Sequence, residues 1–266
     1  FLDVPVPFEN RNDDRSHRAA FGNFTYQMGE WEIGAGIRVD RWESEEVSLD
    51  VCDNPEVAST CSNDSMSKSE TEVLPRFSIS RDIENGIVYA TVSKGYEPGG
   101  WNGITQNGPP IYDSNGNRVL TGYDKEQALQ IEVGAKREFL DGRANASVAV
   151  FRTDYEARQY EYIVPSPADP NTLIDGITNV GDSTQMGIEI SAALQATEHL
   201  VLTAAYGMID AEWDSGTGVT INNVPYDLSD VEPSQIVGNS ASFTASFQMP
   251  MANGFLESQE FNDEFF

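Results

Sequence analysis

Cations are scarce in this 266-residue chain. Sixteen lysines and arginines stand against 43 aspartates and glutamates, a formal net charge of −27. Affinity for nucleic acid comes mostly from Lys and Arg on phosphates, so binding a polyanion is excluded as the main task. Long apolar runs are missing too. A spanning helix needs roughly 18 or more consecutive apolar residues, and the longest stretches here, such as Val148–Phe151, are far shorter. A spanning helix is thereby excluded. A spanning barrel is not, because each of its strands needs apolar residues only at alternate positions. The aromatics, 10% of the chain, sit inside alternating segments and not in charged tails, which argues against disorder.

Reactive side chains are equally few. His17 and His199 are the only histidines and lie far apart. Transition-metal sites need clustered His or Cys, and no Gly-x-Ser-x-Gly, His-Glu-x-x-His or Cys-x-x-Cys occurs. The Gly-rich run Glu97–Gly103 lacks the Gly-Lys-Ser/Thr end of a phosphate-binding loop. Asp113–Asn117 lacks the bidentate Glu of a calcium loop and reads as a turn on Asn115-Gly116. No catalytic residue, metal or cofactor is expected, and the chain is not read as an enzyme. The two cysteines, Cys52 and Cys61, lie in a polar stretch. They could close a small disulfide, implying an oxidising compartment, or stay as free thiols. The start, Phe1–Pro7, has neither an initiator Met nor the features of a signal peptide. The expectation is a piece of a longer polypeptide.

Alternation with period two dominates what is present. Met186, Ile188, Ile190, Ala192 and Leu194 stand opposite Gln185, Gly187, Glu189 and Ser191. Ala241, Phe243, Ala245 and Phe247 stand opposite Ser240, Ser242, Thr244 and Ser246. Trp31–Val39 and Gln130–Arg137 follow the same rule, the mark of strands with one apolar and one polar face. Strands are expected over 18–28, 31–42, 72–82, 86–97, 123–139, 143–164, 177–196, 199–214 and 236–249, with a tenth from 254. Several exceed the globular norm of about 5–6 residues. Their connections alternate: tight turns at Gly29-Glu30, Ile83–Gly86, Leu140–Gly142, Thr197-Glu198 and Met251–Gly254, long polar loops at 43–70, 98–122, 165–176 and 215–235. Short turns on one rim and long loops on the other is the pattern of an outer-membrane barrel. Alternation alone would also suit a soluble sandwich. Strand length and loop asymmetry favour an all-β, antiparallel transmembrane barrel.

Several stretches together resemble a known family. Leu74–Ser80, Val88–Asn102, Glu132–Arg143, Ala149–Tyr155, and Thr178–Gly181 with Gly187–Ile190 look like the mid-barrel signature of TonB-dependent outer-membrane receptors, best in the siderophore branch. The resemblance covers roughly 18–254. It implies a plugged barrel of about 22 strands, of which residues 1–266 supply nine or ten. The plug, the TonB-binding segment and the first and last strands are not seen, and the residues from Phe255 depart from the usual closing strands. The implied function is import across the outer membrane of a Gram-negative bacterium, with TonB pulling on the plug once a ferric siderophore or similar scarce ligand has bound. The implied partners are TonB, the ligand, and outer-membrane lipid and lipopolysaccharide. Ferric chelates are often anionic and aromatic, so stacking and cationic groups near the loops suit them. Tyr96, Trp101, Arg152 and Tyr160 are the candidates; the plainer alternative makes them girdle or strand-end residues. A passive porin and a secreted adhesin or lectin are the competing functions.

Overall fold

The computed structural model describes residues 10–52, 61–101, 122–165, 171, 173–214, 217–221, 224–228, 231–233, 236–250 and 256–263. They are all-β. The strands are β1 (Asn10–Met28), β2 (Trp31–Cys52), β3 (Cys61–Ile83), β4 (Gly86–Glu97), β5 (Gly100–Trp101), β6 (Gly122–Tyr123), β7 (Glu126–Phe139) and β8 (Ala144–Glu156). They continue with β9 (Gln159–Pro165), β10 (Leu173–Asn179), β11 (Ser183–Gln195), β12 (Leu200–Trp213), β13 (Gly218–Ile221), β14 (Val224–Asp227), β15 (Asn239–Pro250) and β16 (Leu256–Asp263). Ten of them form one sheet in the order β1-β2-β3-β4-β7-β8-β11-β12-β15-β16. All its pairings are antiparallel. The sheet does not close on itself: β1 and β16 are its edges. The six short strands pair as the hairpins β5–β6, β9–β10 and β13–β14, one on each of three long connections.

The expected strands are therefore present, with three corrections. The long strands expected over 143–164 and 177–196 each break in two. At Ala157 the backbone turns into the left-handed region, φ 53°, and at Gly181 φ is 129°. The chain swivels there out of the sheet, and β9 and β10 pair only with each other. The segment 123–139 breaks likewise into β6 and β7. The third correction concerns the expected loop 43–70. The β2–β3 register runs up to Cys52↔Cys61 with one irregularity, between Leu49 and Val51. The face buried there is lined by polar residues such as Ser44, 4% exposed, Lys68 and Glu70, so no apolar alternation marks the strands.

The registers sort the side chains onto two faces. Ile33, Ile79, Ala90 and Val133 fall on one line across β2, β3, β4 and β7. Val133, Val150, Ile188 and Met208 continue it across β8, β11 and β12. On β7, β8, β11 and β12 the apolar band runs through 129–135, 146–150, 186–194 and 202–208. Ser80, Tyr89 and Gly134, then Ser147, Ser191 and Ala205, mark the opposite, mostly polar face. Among the described residues nothing covers the apolar face. Val133 is 57% exposed, Val150 55% and Ile131 48%. Among the described residues only Val180 and Trp213 are buried apolar groups, and both sit at the loop end, outside the band. The accessible surface is 17991 Å², against roughly 11,500 Å² for a compact chain of this size. A sandwich would hide its greasy face between two sheets; this sheet presents it outward.

Candidate functional site

Each long connection starts and ends at one rim of the sheet, and a belt of hydrogen bonds ties the bases of these connections together. Lys68 of β3 donates to the Tyr123 carbonyl at 2.6 Å and to Asp124 at 3.2 Å. Asp124 N–H donates to Asn179 Oδ1 at 2.6 Å, and Asn179 Nδ2 donates back to the carbonyls of Asp124 and Ala157. Gln159 adds bonds to the carbonyls of Pro98 and Asp124, and its N–H reaches Glu126. Asp182 receives Ala157 N–H on its carboxylate, and on its carbonyl Asp214 N–H and the Thr217 hydroxyl. The belt thus runs from β3 to the start of β13. Apart from the Lys68–Asp124 ion pair, each bond satisfies a backbone group left over where a strand leaves the sheet. Burial pushes the Glu126 carboxyl up, opposed by the Gln159 N–H and the charge of Arg158 and reinforced by Glu97.

Two aromatic clusters stand on this belt. The first joins Trp101 to Lys68, whose ammonium lies 6.0 Å from the Trp101 ring centre and 3.6 Å from Glu70, and Tyr96 lies within reach of the Glu70 charge. Glu70 Oε2, the Tyr96 hydroxyl and Trp101 Nε1 are buried without hydrogen-bond partners among the described residues. The second centres on Trp213, 7% exposed, with Tyr160 edge-on at 6.1 Å. The Arg158 guanidinium lies 4.9 Å from the Tyr155 ring centre and 5.5 Å from that of Trp213, and donates to Ser183 at 3.0 Å. A cleft of about 350 Å³ opens beside it, lined by Arg158, Tyr160, Ile163, Ile177, Trp213 and Pro233 among others. Gln159 and Glu161 complete the lining, which is at least as polar as it is apolar.

Of the residues singled out in the sequence, Tyr96 and Trp101 share the first cluster and Tyr160 lies in the second. Arg152 is apart from both. It stands in register with Ile131 and Met186 on the apolar face, just above the band, and its guanidinium is paired with Asp154 at 2.7 Å. The side chains of Cys52 and Cys61 lie outside the described residues, as does most of the connection 98–122; the backbone register sets the two cysteines directly opposite each other. Three participants escaped sequence reasoning: Lys68, Arg158 and Asn179. Each is one polar residue in a polar stretch, and the side-chain hydrogen bonds that place it in the belt or the cluster reach 22 to 56 residues along the chain. Among the described residues no group of His, Cys, Asp and Glu could hold a metal ion.

The family model for TonB-dependent receptor-like β-barrels matches residues 2–253. A probable TonB-dependent siderophore receptor of Acinetobacter baumannii is 25% identical over 182 residues, which is 68% of this chain and 22% of that protein. The crystal structure of the ferric yersiniabactin uptake receptor of Yersinia pestis superposes with a TM-score of 0.67 at 16% identity, over 92% of this chain and 33% of that one. The ferric-catecholate import receptor of E. coli, in its closed form, gives 0.63 at 20% identity, over 90% and 33%. The chain spans between a fifth and a third of the length of these relatives.

Proposed function

Since the chain belongs to the family of TonB-dependent receptor-like β-barrels, we propose that it builds part of the wall of an importer in the Gram-negative outer membrane. The importer is energised by TonB and takes a ferric siderophore or a comparably scarce chelate. The plug and the TonB-binding segment come, on this proposal, from other parts of the protein. One observation carries the reading: an apolar face that no described residue covers stops below a rim where aromatic and cationic side chains gather on a hydrogen-bonded base. In hydrocarbon every backbone N–H and C=O must be paired within the protein, and a ladder that closes into a barrel achieves this. Below the rim, chemistry is not required; the wall has to present a ligand to a moving plug. The ligand contacts we assign are Tyr96, Trp101 and Tyr160. Arg152 is left out, because its guanidinium is already paired with Asp154 and it belongs to neither cluster.

The test uses the full-length receptor in its own host. Cells with and without the gene are offered radioactive iron bound to a catecholate, a hydroxamate or a carboxylate siderophore. Uptake of one complex is expected to vanish with the gene and also to vanish in a strain lacking TonB. Uptake that survives loss of TonB leaves a passive channel and overturns the energised importer. Uptake of all three that survives loss of the gene overturns the chelate class.

A further inference from the structure

The sheet has a seam. The β3–β4 ladder runs from Ile83↔Gly86 to Arg76↔Ser93 and stops. The next pair would place Pro75 opposite Lys94, and Pro75 has no N–H to give to a ladder. Beyond it, Cys61–Pro75 pairs with β2 alone and Lys94–Glu97 with β7 alone. The loop end therefore divides into two leaves: the upper parts of β1, β2 and β3 on one side, β4 onward on the other.

Side chains, not backbone, bridge the seam, and the described ties converge on two residues of β3. Glu72, 5% exposed, accepts from Lys125 and from Gln127 Nε2 at 2.8 Å, with Lys94 at 4.0 Å. Lys68 reaches the Tyr123 carbonyl and Asp124. Beside these ties sit Tyr96 and Glu70, each with a buried polar atom that has no partner among the described residues. Closure thus gains ion pairs and leaves desolvated polar groups unsatisfied; opening would lose the pairs and return those groups to water. Two opposing contributions of this kind make a two-position element.

We propose that the wall on the β3 side of this seam, of which the loop ends of β1, β2 and β3 are the described part, is a hinged flap, pivoting at Pro75 and latched by Glu72 and Lys68 against the β4–β7 side. Opening the latch uncovers Tyr96 and Trp101 from the side. The proposal concerns the wall alone and stands whether or not the rim takes a chelate.

The experiment measures distances between nitroxides by pulsed electron resonance on the full-length receptor in lipid nanodiscs. The labels are carried on p-acetylphenylalanine at positions 43 and 212, one on each leaf, so the native cysteines are untouched. Wild type is expected to give one narrow distribution at about 0.1 M salt and a wider one at about 1 M, because the Lys68–Asp124 half of the latch, whose carboxylate is exposed, is screened by salt. Glu72→Gln should add a longer distance, and so should Lys94→Gln with Lys125→Gln, which removes the same pairs from the other leaf. Glu189→Gln, the same change away from the seam, should leave the distribution narrow. Heat-modifiable gel mobility checks that each variant is folded. Should Glu72→Gln fail to fold, the lysine pair and the salt series decide. A distribution of wild-type width in the folded variants, and no change with salt in wild type, overturns the flap. Transport is not read, so the outcome is independent of the uptake test.

Discussion

At the scale of single residues, glycines opposite aromatic rings do much of the positioning. Tyr89 lies over Gly134, Phe151 over Gly187, Tyr162 over Gly176 and Tyr123 over Gly100, each pair directly opposed in its register. A Cβ at Gly134 would stand 2.6 Å from Tyr89 Cζ, so the ring could not stay where it is. That ring orients a hydroxyl that donates to Glu132 at 2.9 Å, and it carries Lys136 at 5.7 Å from its centre. Gly134→Val is therefore expected to destabilise the barrel by about 1–3 kcal/mol, the usual cost of forcing extra carbon into a packed site. Gly95→Ala, with nothing within 4 Å of the added carbon, should cost no more than the small strand-propensity difference. The urea midpoint of the full-length protein in detergent, read by tryptophan fluorescence, compares the two; equal midpoints would show that the ring does not depend on the gap. The sequence displays Gly134 and Gly187 only as members of a polar face. Their partners are fixed by pairing with residues 45 and 36 positions earlier in the chain, which no local pattern reveals.

At the scale of elements, alternation located the sheet strands well because each has one greasy and one wet face. It could not mark where a strand leaves one sheet for another. Ser147–Thr153 and Gln159–Ile163 both read as strand, and the swivel at Ala157 lies in a backbone angle, not in a change of period. Nor could it follow β2 and β3 above the band, where polar residues fill both faces of the sequence pattern. The length of that hairpin bears on the cysteines. A register that ends on Cys52↔Cys61 puts the two at directly opposed positions. Opposed residues of an antiparallel pair have Cα atoms about 4.5–5.5 Å apart, within the range of roughly 4.4–6.8 Å that a disulfide spans. The expected state in the oxidising compartment outside the inner membrane is one bridge closing the hairpin tip. Intact-mass measurement after alkylation under denaturing conditions should find no modified cysteine before reduction and two after it. Two alkyl groups without reductant would mean that the tip is held by backbone pairing alone.

At the scale of the whole molecule, charge and grease are divided by height. On the outward face the band of Ile131, Val133, Val150, Ile188 and Met208 gives way toward the loops to Arg152, Asp154, Asp210 and Glu212. Below, the turns at Gly29-Glu30 and Asn85 are tight, and cationic side chains lie against aromatic rings there: Arg81 5.4 Å from the Trp31 ring centre, Arg137 5.5 Å from that of Phe139. Side chains with an apolar body and a polar tip settle at a membrane–water boundary. The band therefore has a boundary at each end, and the question is which end faces out of the cell. The short-turn rim offers little to a ligand, while the other carries the long connections and both aromatic clusters. Barrels of the outer membrane place their long loops outside. Asn107→Cys, in the connection 98–122, should accordingly react with a membrane-impermeant maleimide on intact cells. Asp141→Cys, in the turn between β7 and β8, should react only after the outer membrane is permeabilised. The unsubstituted protein measures any background from Cys52 and Cys61. Labelling at Asp141→Cys on intact cells, with none at Asn107→Cys, would invert the barrel in the membrane. The aromatic rim would then face the periplasm, where a receptor for an external chelate has no use for it.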